Sequence, residues 1–320
     1  MTNFHQIAGY DVIETLGKGA GSTLYSARDR HGAPFALKRV TKKTPHDQRY
    51  LDQALAEHQI ASKFDHPQLR KSIKVIKLRE LIRVSEIVVV MELVLGKTLE
   101  EWRPDSMLVN CRICRAVAGA LKFMHDQNYV HADIKPNNIM VTHDGQVKII
   151  DFGQSCPKGT VKERIQGTPD YIAPEQVKRQ AITEQTDVFC LGATMYWMFT
   201  DKNVPTAFTR RNQQNAGVQL KTDDYKKITP PIELNPNVSP ALSSLVMDCV
   251  QRKPEDRPQG MQVVIERLDM AIAQIERNRR AAMAATKAAD ATPPTPDRDA
   301  TSTAGLDDTD AIDAAQRQAS

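Results

Sequence analysis

No stretch of this chain is apolar for long enough to cross a bilayer; the longest candidate, Cys190 to Phe199, is about half of what a spanning helix needs. Met1 to Gly9 has no basic start followed by an apolar core, so no export signal is expected there. Cysteine is sparse and unpatterned: Cys111, Cys114, Cys156, Cys190 and Cys249 are an odd number without repeating spacing. That excludes a disulfide framework and points to a reducing compartment. Cys111 and Cys114 are spaced like metal ligands, yet no second Cys or His pair accompanies them and the surrounding pattern is helical, so two packing thiols are expected. An excess of one charge is missing too. Lys and Arg number 43 against 39 Asp and Glu, a surplus too small to call for nucleic acid as the main partner. There is no internal repeat. These absences predict a soluble, cytoplasmic protein with neither membrane nor nucleic acid as partner.

What is present suffices for one large domain or two lobes, since 41% of 320 residues are apolar. Tyr10 to Leu16 and Thr23 to Arg28 read as strands joined by Gly17-Lys18-Gly19-Ala20-Gly21-Ser22, and Phe35 to Val40 follows the His31-Gly32 turn as a third. Residues 46–64 lack Gly and Pro, which predicts a single helix ending before His66-Pro67. Strands are expected near Ile73 to Leu78 and Ile87 to Leu93. Beyond Gly96 the pattern turns helical, with Ile113, Val117, Leu121 and Met124 on one face. A last helix runs from Gln259 to about Ala289, with Val264, Leu268, Ile272 and Ile275 on one face and a basic Arg277-Asn278-Arg279-Arg280 cluster after them. The expected organisation is α+β: an extension over 1–9, a β-rich lobe with one main helix over 10–94, a mostly helical lobe over 95–275, a basic Ala-rich helical extension over 276–291, and a disordered tail over 292–320.

The chemistry concentrates in Tyr129 to Met140, where a β-type lead-in delivers Asp133, Lys135 and Asn138 at fixed spacing, and Asp151-Phe152-Gly153 follows. Upstream stand the glycine-rich turn, the strand lysine of Phe35-Ala36-Leu37-Lys38, and Glu57 in the following helix. Taken singly, each has a plainer reading: a hairpin turn, a solvated edge charge, an exposed helix carboxylate, a turn aspartate. Their order and spacing together resemble a eukaryotic-type (Hanks-type) serine/threonine protein kinase catalytic domain from about Tyr10 to Ala271.

That resemblance implies a bilobal fold and transfer of the γ-phosphate of ATP to serine or threonine hydroxyls of a protein substrate, with Mg²⁺ as cofactor and Mn²⁺ as an alternative. It implies that Gly17, Gly19 and Ser22 approach the phosphates, that Lys38 contacts the α- and β-phosphates and pairs with Glu57, and that Asn138 and Asp151 hold the metal. Asp133 would take or orient the substrate proton, Lys135 would steady the γ-phosphate, and Thr168 would contact both. Leu24, Ala36 and Met140 would flank the base, with Met91 behind it and the Glu92 to Val94 backbone alongside. Gly167 to Glu175 would hold the acceptor peptide, which argues against a small-molecule acceptor. Glu175 would pair with Arg257, and Asp187 would anchor the catalytic loop. Asn137 stands where basic-directed kinases often carry an acid, so basic residues flanking the target are not assumed.

Several positions depart from the family pattern. Ser22 stands at the third glycine, Leu24 at the valine, and Gly21 is extra. Ala132 replaces the arginine before the catalytic aspartate, Cys156 occupies an often basic position, and Arg164 stands at the usual phosphoacceptor position. The three predict activity without phosphorylation of the 151–175 segment. The basic stretch Arg70 to Arg83 reads as a solvated strand face, or alternatively as a surface for an acidic partner or for regulation. A scaffold that keeps the fold without transfer would be marked by loss of Lys38, Asp133 or Asp151; all three are present, and only Ser22 and Ala132 favour that rival.

Overall fold

The computed structural model describes residues 6–19, 21–80, 83–205 and 228–290. The chain divides into two units, Met1–Glu276 and Arg277–Ser320. The second unit's described part is the helical continuation to Asp290. Ala20 of the glycine-rich turn and the expected tail over 292–320 lie outside the described residues.

Six strands form an antiparallel sheet: β1 (Gln6–Ile7), β2 (Tyr10–Gly19), β3 (Ser22–Arg28), β4 (Pro34–Thr41), β5 (Ser72–Glu80) and β6 (Arg83–Glu92), in the order β1-β2-β3-β4-β6-β5. The extension expected over 1–9 is corrected in part, because Ile7 pairs with Tyr10 and is buried. Two residues are too short a run for alternation to register. The uninterrupted run Ile87 to Met91 of β6 follows from burial of both sheet faces. Ile87, Val89 and Met91 pack with Ala36 and Val40 against Leu51 and Ala54 of helix α1 (Gln48–Ala61), while Val88 and Val90 join Leu37 and Ala27 on the other side. The helix expected over 46–64 is shorter at both ends: Pro45–Asp47 is a 3₁₀ turn in which the Asp47 carboxylate accepts from the Thr44 N–H at 2.7 Å, and α1 stops at Ala61.

A second correction concerns Gly96. The expected helical pattern is delayed, and Gly96–Thr98 forms strand β7, paired with β9 (Ile139–Thr142), which pairs with β10 (Val147–Ile149). A Cβ at Gly96 would lie 2.3 Å from the Val141 carbonyl oxygen, so glycine is what lets the strands meet. The helical region comprises α2 (Met107–Asp126), α3 (Pro174–Val177), α4 (Glu184–Thr200), α5 (Pro231–Leu234), α6 (Pro240–Cys249) and α7 (Met261–Asp290) among the described residues. Ile113, Val117, Leu121 and Met124 of α2 are buried together, with Cys111 and Cys114 packed beside them. All five cysteines are free and buried.

Helix α4 is apolar around most of its circumference because the core surrounds it. The run Cys190 to Phe199 is therefore a core helix, and among the described residues no helix is long and apolar enough to cross a membrane. Thr183 caps its start by accepting from the Gln185 N–H at 3.3 Å, and Arg103 closes its end by donating to the Trp197 and Met198 carbonyls at 3.3 and 3.2 Å. The sheet and the helical core are tied through the α1–β5 connection: Phe64 and Leu69 lie in the helical cluster, and the Arg70 N–H donates to the Ile149 carbonyl at 2.9 Å.

One buried ion pair locks the far side of the helical region. Arg257 donates two bonds to the Glu175 carboxylate, at 2.8 and 2.9 Å, and further bonds to the Gln185 and Gln251 carbonyls at 2.7 and 2.8 Å. Its guanidinium lies 5.0 Å from the Phe189 ring centroid. Arg257→Met strands the Glu175 carboxylate in the core, and a loss of about 3–5 kcal/mol in urea unfolding is expected; a loss below about 1 kcal/mol would refute the assignment of this pair as a structural lock.

Candidate active site

The loop after β8 (Tyr129–Val130) is shaped by a carboxylate on α4. Asp187 has no exposed surface, and it accepts from the His131 N–H at 2.9 Å, the Ala132 N–H at 2.7 Å and the His125 ring at 2.8 Å. Ala132 is turned into the left-handed region, with φ of 62°, and its carbonyl accepts from the Gln176 side chain at 2.9 Å. The His131 ring packs on Phe152 with centroids 5.7 Å apart, and Phe152 packs on Phe64 at 6.0 Å.

This framework presents Asp133 with both carboxylate oxygens engaged. Thr168 donates to Oδ1 at 2.8 Å and Lys135 to Oδ2 at 2.9 Å, while Lys135 also donates to the Thr168 hydroxyl at 2.6 Å. A closed triangle of acid, cation and hydroxyl results. The Asn138 amide donates to the Asp133 carbonyl at 2.8 Å, which leaves its amide oxygen as the group able to meet a cation. The Asn138 carbonyl accepts from the Ile150 N–H at 3.0 Å, bringing Asn138 beside the residue preceding Asp151.

Lys38 of β4 bonds Glu57 of α1 at 2.5 Å. Burial alone would raise the Asp151 carboxyl, but the nearby Lys38 ammonium, the Gly153 N–H at 2.8 Å and the Arg70 charge outweigh it and hold the group below the ordinary carboxylate range. In the glycine-rich hairpin Gly17 pairs with Leu24 and Gly19 with Ser22, and a Cβ at Gly17 would meet nothing within 4 Å. Gly21 carries the left-handed conformation, with φ of 77°, and a Cβ there would lie 2.5 Å from the Tyr50 ring of α1. The turn therefore closes with serine at position 22 because glycine 21 takes the strained place. Ala36 and Met91 are buried and Leu24 packs on the same cluster, while Met140 and Val94 are half-buried. The Glu92 N–H is taken by the Lys71 carbonyl at 2.9 Å, so that residue's backbone has only its carbonyl to offer a ligand. Its side chain pairs with Lys148 at 2.6 Å.

The sequence matches the family model of the protein kinase domain over residues 10–267. The chain belongs to the protein kinase family. Among its relatives, a probable serine/threonine-protein kinase of Clostridium acetobutylicum is 28% identical over 276 residues, covering 81% of this chain and 39% of the relative. One of Streptomyces coelicolor is 29% identical over 273 residues, covering 80% and 39%, and sperm motility kinase 2B of Mus musculus is 32% identical over 210 residues, covering 63% and 41%. The chain thus spans about two fifths of the length of these three relatives. Protein kinases use ATP with a divalent metal, and the residues of this site fit both. One ionised carboxylate and one amide oxygen are hard donors that suit a metal shared with phosphates, and the open space over Gly17 suits close approach of the phosphates themselves.

Three participants escaped the sequence reading. Gln176 ties the Ala132 and Gln166 carbonyls together at 2.9 and 3.2 Å. Lys162 of the segment after Asp151 is half-buried and donates to the Gln154 carbonyl at 2.8 Å. Arg70 is a correction: it does not lie on the expected solvated strand face, but is inside, 3.8 Å from Glu57. The exposed positions Lys74, Lys77 and Arg79 of β5 match that expectation. Arg70 follows the His66-Pro67 turn, where its chain reverses inward before β5 begins, and only that turn could have set it apart.

Thr168→Val keeps the shape and removes two hydrogen bonds to charged groups. Phosphate transfer per enzyme is expected to fall about ten- to a hundredfold, with Tm moving by less than about 4 °C. An unchanged rate would show that the hydroxyl does not position Asp133 and Lys135.

Proposed function

We propose that this protein kinase domain transfers the γ-phosphate of ATP to serine or threonine hydroxyls of protein substrates. The observation that carries the reading is the triangle of Asp133, Lys135 and Thr168 bonded to Asn138, together with the Lys38–Glu57 pair. Asp133 accepts the proton of the incoming hydroxyl, and Thr168 and Lys135 hold its carboxylate in orientation. Lys135 supports the serine/threonine assignment, because its ammonium is beside the base and able to face the transferring group. Lys38, kept in place by Glu57, holds the nucleotide phosphates, and the relatives' names agree with this substrate class. Asn138 and Asp151 would hold Mg²⁺, whose charge would neutralise that of the phosphates. The five buried, unpaired thiols support a cytoplasmic setting.

The same reading includes activity without phosphorylation of the 151–175 segment. Its support is that the segment is held by contacts that need no phosphate. Strand β11 (Cys156–Pro157) pairs with β8, and Cys156 packs with Val130, Ala132 and Ile182 in a small apolar cluster. The Gly159 N–H donates to the Ile182 carbonyl at 2.7 Å and the Ile182 N–H to the Thr160 carbonyl at 2.9 Å. Arg179 donates to the Glu163 carbonyl at 3.0 Å. Where an arginine would await a phosphate, the methyl of Ala132 is buried instead.

Two measurements test the proposal. Asp133→Ala should reduce transfer of labelled phosphate from Mg²⁺-ATP to a generic basic protein by about a hundredfold or more, with label on serine or threonine in the wild type. Absence of transfer in the wild type with ATP still bound would favour a non-transferring scaffold. Phosphatase treatment and Thr160→Ala should each leave the rate within about twofold, since the Thr160 hydroxyl bonds the Pro157 carbonyl, at 2.6 Å, and the neighbouring Cys156 side chain. A collapse in either case would refute phosphorylation-independence while leaving the kinase reading intact.

A further inference from the structure

Glu57 is approached by two cations rather than one. Lys38 takes its Oε2 at 2.5 Å, and the Arg70 guanidinium lies 3.8 Å from Oε1, the opposite oxygen. The Arg70 side chain is only 11% exposed. Burial disfavours its charge, and the charges of Glu57, Asp151 and Glu92 oppose that penalty. A guanidinium stays charged under such conditions, and Glu92 is paired with Lys148 at 2.6 Å, so the remaining balance is two positive charges on Lys38 and Arg70 against two negative ones on Glu57 and Asp151. Without Arg70 that group would carry a net negative charge where Lys38 must also meet anionic phosphates. The backbone supports the placement. The Arg70 N–H bonds the Ile149 carbonyl at 2.9 Å, and the Ile149 N–H bonds the Gln68 carbonyl at 2.8 Å, so the residue is registered against the strand that leads to Asp151.

We propose that Arg70 is a second positioning cation for Glu57, holding α1 docked from the side away from Lys38 so that the helix stays in place when Lys38 is occupied by an anionic ligand or absent. The docking step is independent of the kinase reading; only the consequence for nucleotide affinity rests on it. A lysine shared between a glutamate and a triphosphate weakens its hold on the glutamate, because the same ammonium divides its field between two anions. A cation that contacts only the glutamate does not. Arg70 would thus keep the binding-competent arrangement populated before the nucleotide arrives, and loss of that population lowers apparent affinity in proportion.

The test is hydrogen exchange of the α1 amides in the nucleotide-free full chain, comparing wild type with Lys38→Met, Arg70→Met, the double variant, and Arg70→Lys in the Lys38→Met background. Lys38→Met alone is expected to leave α1 exchange within about threefold of wild type, and the double variant to speed it at least about tenfold beyond the product of the single effects. Arg70→Lys should recover protection. Should Arg70→Met fail to fold, Arg70→Gln takes its place under the same criterion: exchange in the Lys38→Met background at least about tenfold faster than the product of the single effects supports the proposal, and multiplicative effects overturn it. Purely multiplicative single effects, or loss of α1 protection in Lys38→Met alone, would also overturn it. In the assay with Mg²⁺-ATP, Arg70→Met should raise KM for ATP about tenfold with a smaller change in kcat. An unchanged KM would reduce Arg70 to packing. Failure of the kinase reading would remove this second readout and leave the exchange result standing.

Discussion

A carboxylate without solvent needs donors inside the protein to meet its charge. At Asp187 the donors are two successive backbone amides and a histidine ring. That requirement shapes the site. For the His131 and Ala132 N–H groups to point at one carboxylate, the chain must leave the extended path, and Ala132 does so with φ of 62°. A left-handed alanine costs about 1–2 kcal/mol, which two hydrogen bonds to a charged acceptor offset. The reversal turns the Ala132 carbonyl toward Gln176 and sets Asp133 facing Thr168 and Lys135. Because Asp187 sits on α4, which the core surrounds, the reference point for the reacting groups is the least exposed helix of the region.

The other half of the site depends on opposed charges, with Glu57 held by side-chain cations rather than by successive backbone amides. Lys38 comes from a strand, Glu57 from a helix and Asp151 from the end of a hairpin, so their arrangement holds only while three elements stay in register. The connection over residues 68–70 supplies that register, since it bonds Ile149 through both its carbonyl and its N–H, two residues before Asp151. Phe64, just upstream, is fixed in the helical core and touches Phe152. The end of α1 and the start of the segment after Asp151 are therefore held by one short stretch of chain, so a displacement of either is felt by the other.

Residues with an obligate chemical type were legible in the sequence. Asp133, Lys135, Asn138, Asp151, Lys38 and Glu57 announce themselves by order and spacing, and the structure brings them to two clusters, Asp133 with Lys135 and Asn138, and Lys38 with Glu57 and Asp151. The run Cys190 to Phe199 was legible as too short to span a bilayer, and its burial on all sides as a core helix came from the structure. What stayed hidden depends on direction rather than type. Arg70 and Lys74 are alike in composition, yet one points inward and the other out, and the difference lies in a turn that periodicity does not describe. Gln176 reads as an ordinary polar residue beside Glu175 until its bonds to two carbonyls are seen. Strands β1 and β7 are too short to show alternation, and their existence is decided by the partner strand.

The closure of the segment after Asp151 has a consequence for how such a kinase is controlled. An ionic latch between an arginine and a phosphate can be made and removed, and its strength falls with salt. A small apolar cluster joined to main-chain bonds has no charge to remove, and breaking it exposes Val130, Ala132, Cys156 and Ile182 together with unpaired amides. On the proposed reading the segment is thus a fixed wall of the site. The adjustable part is then the charge-held half, where Glu57 stands between Lys38 and Arg70. Any partner that shifts α1 would act through that glutamate, because it is the only side chain of the helix that reaches the strand lysine among the contacts of the described residues.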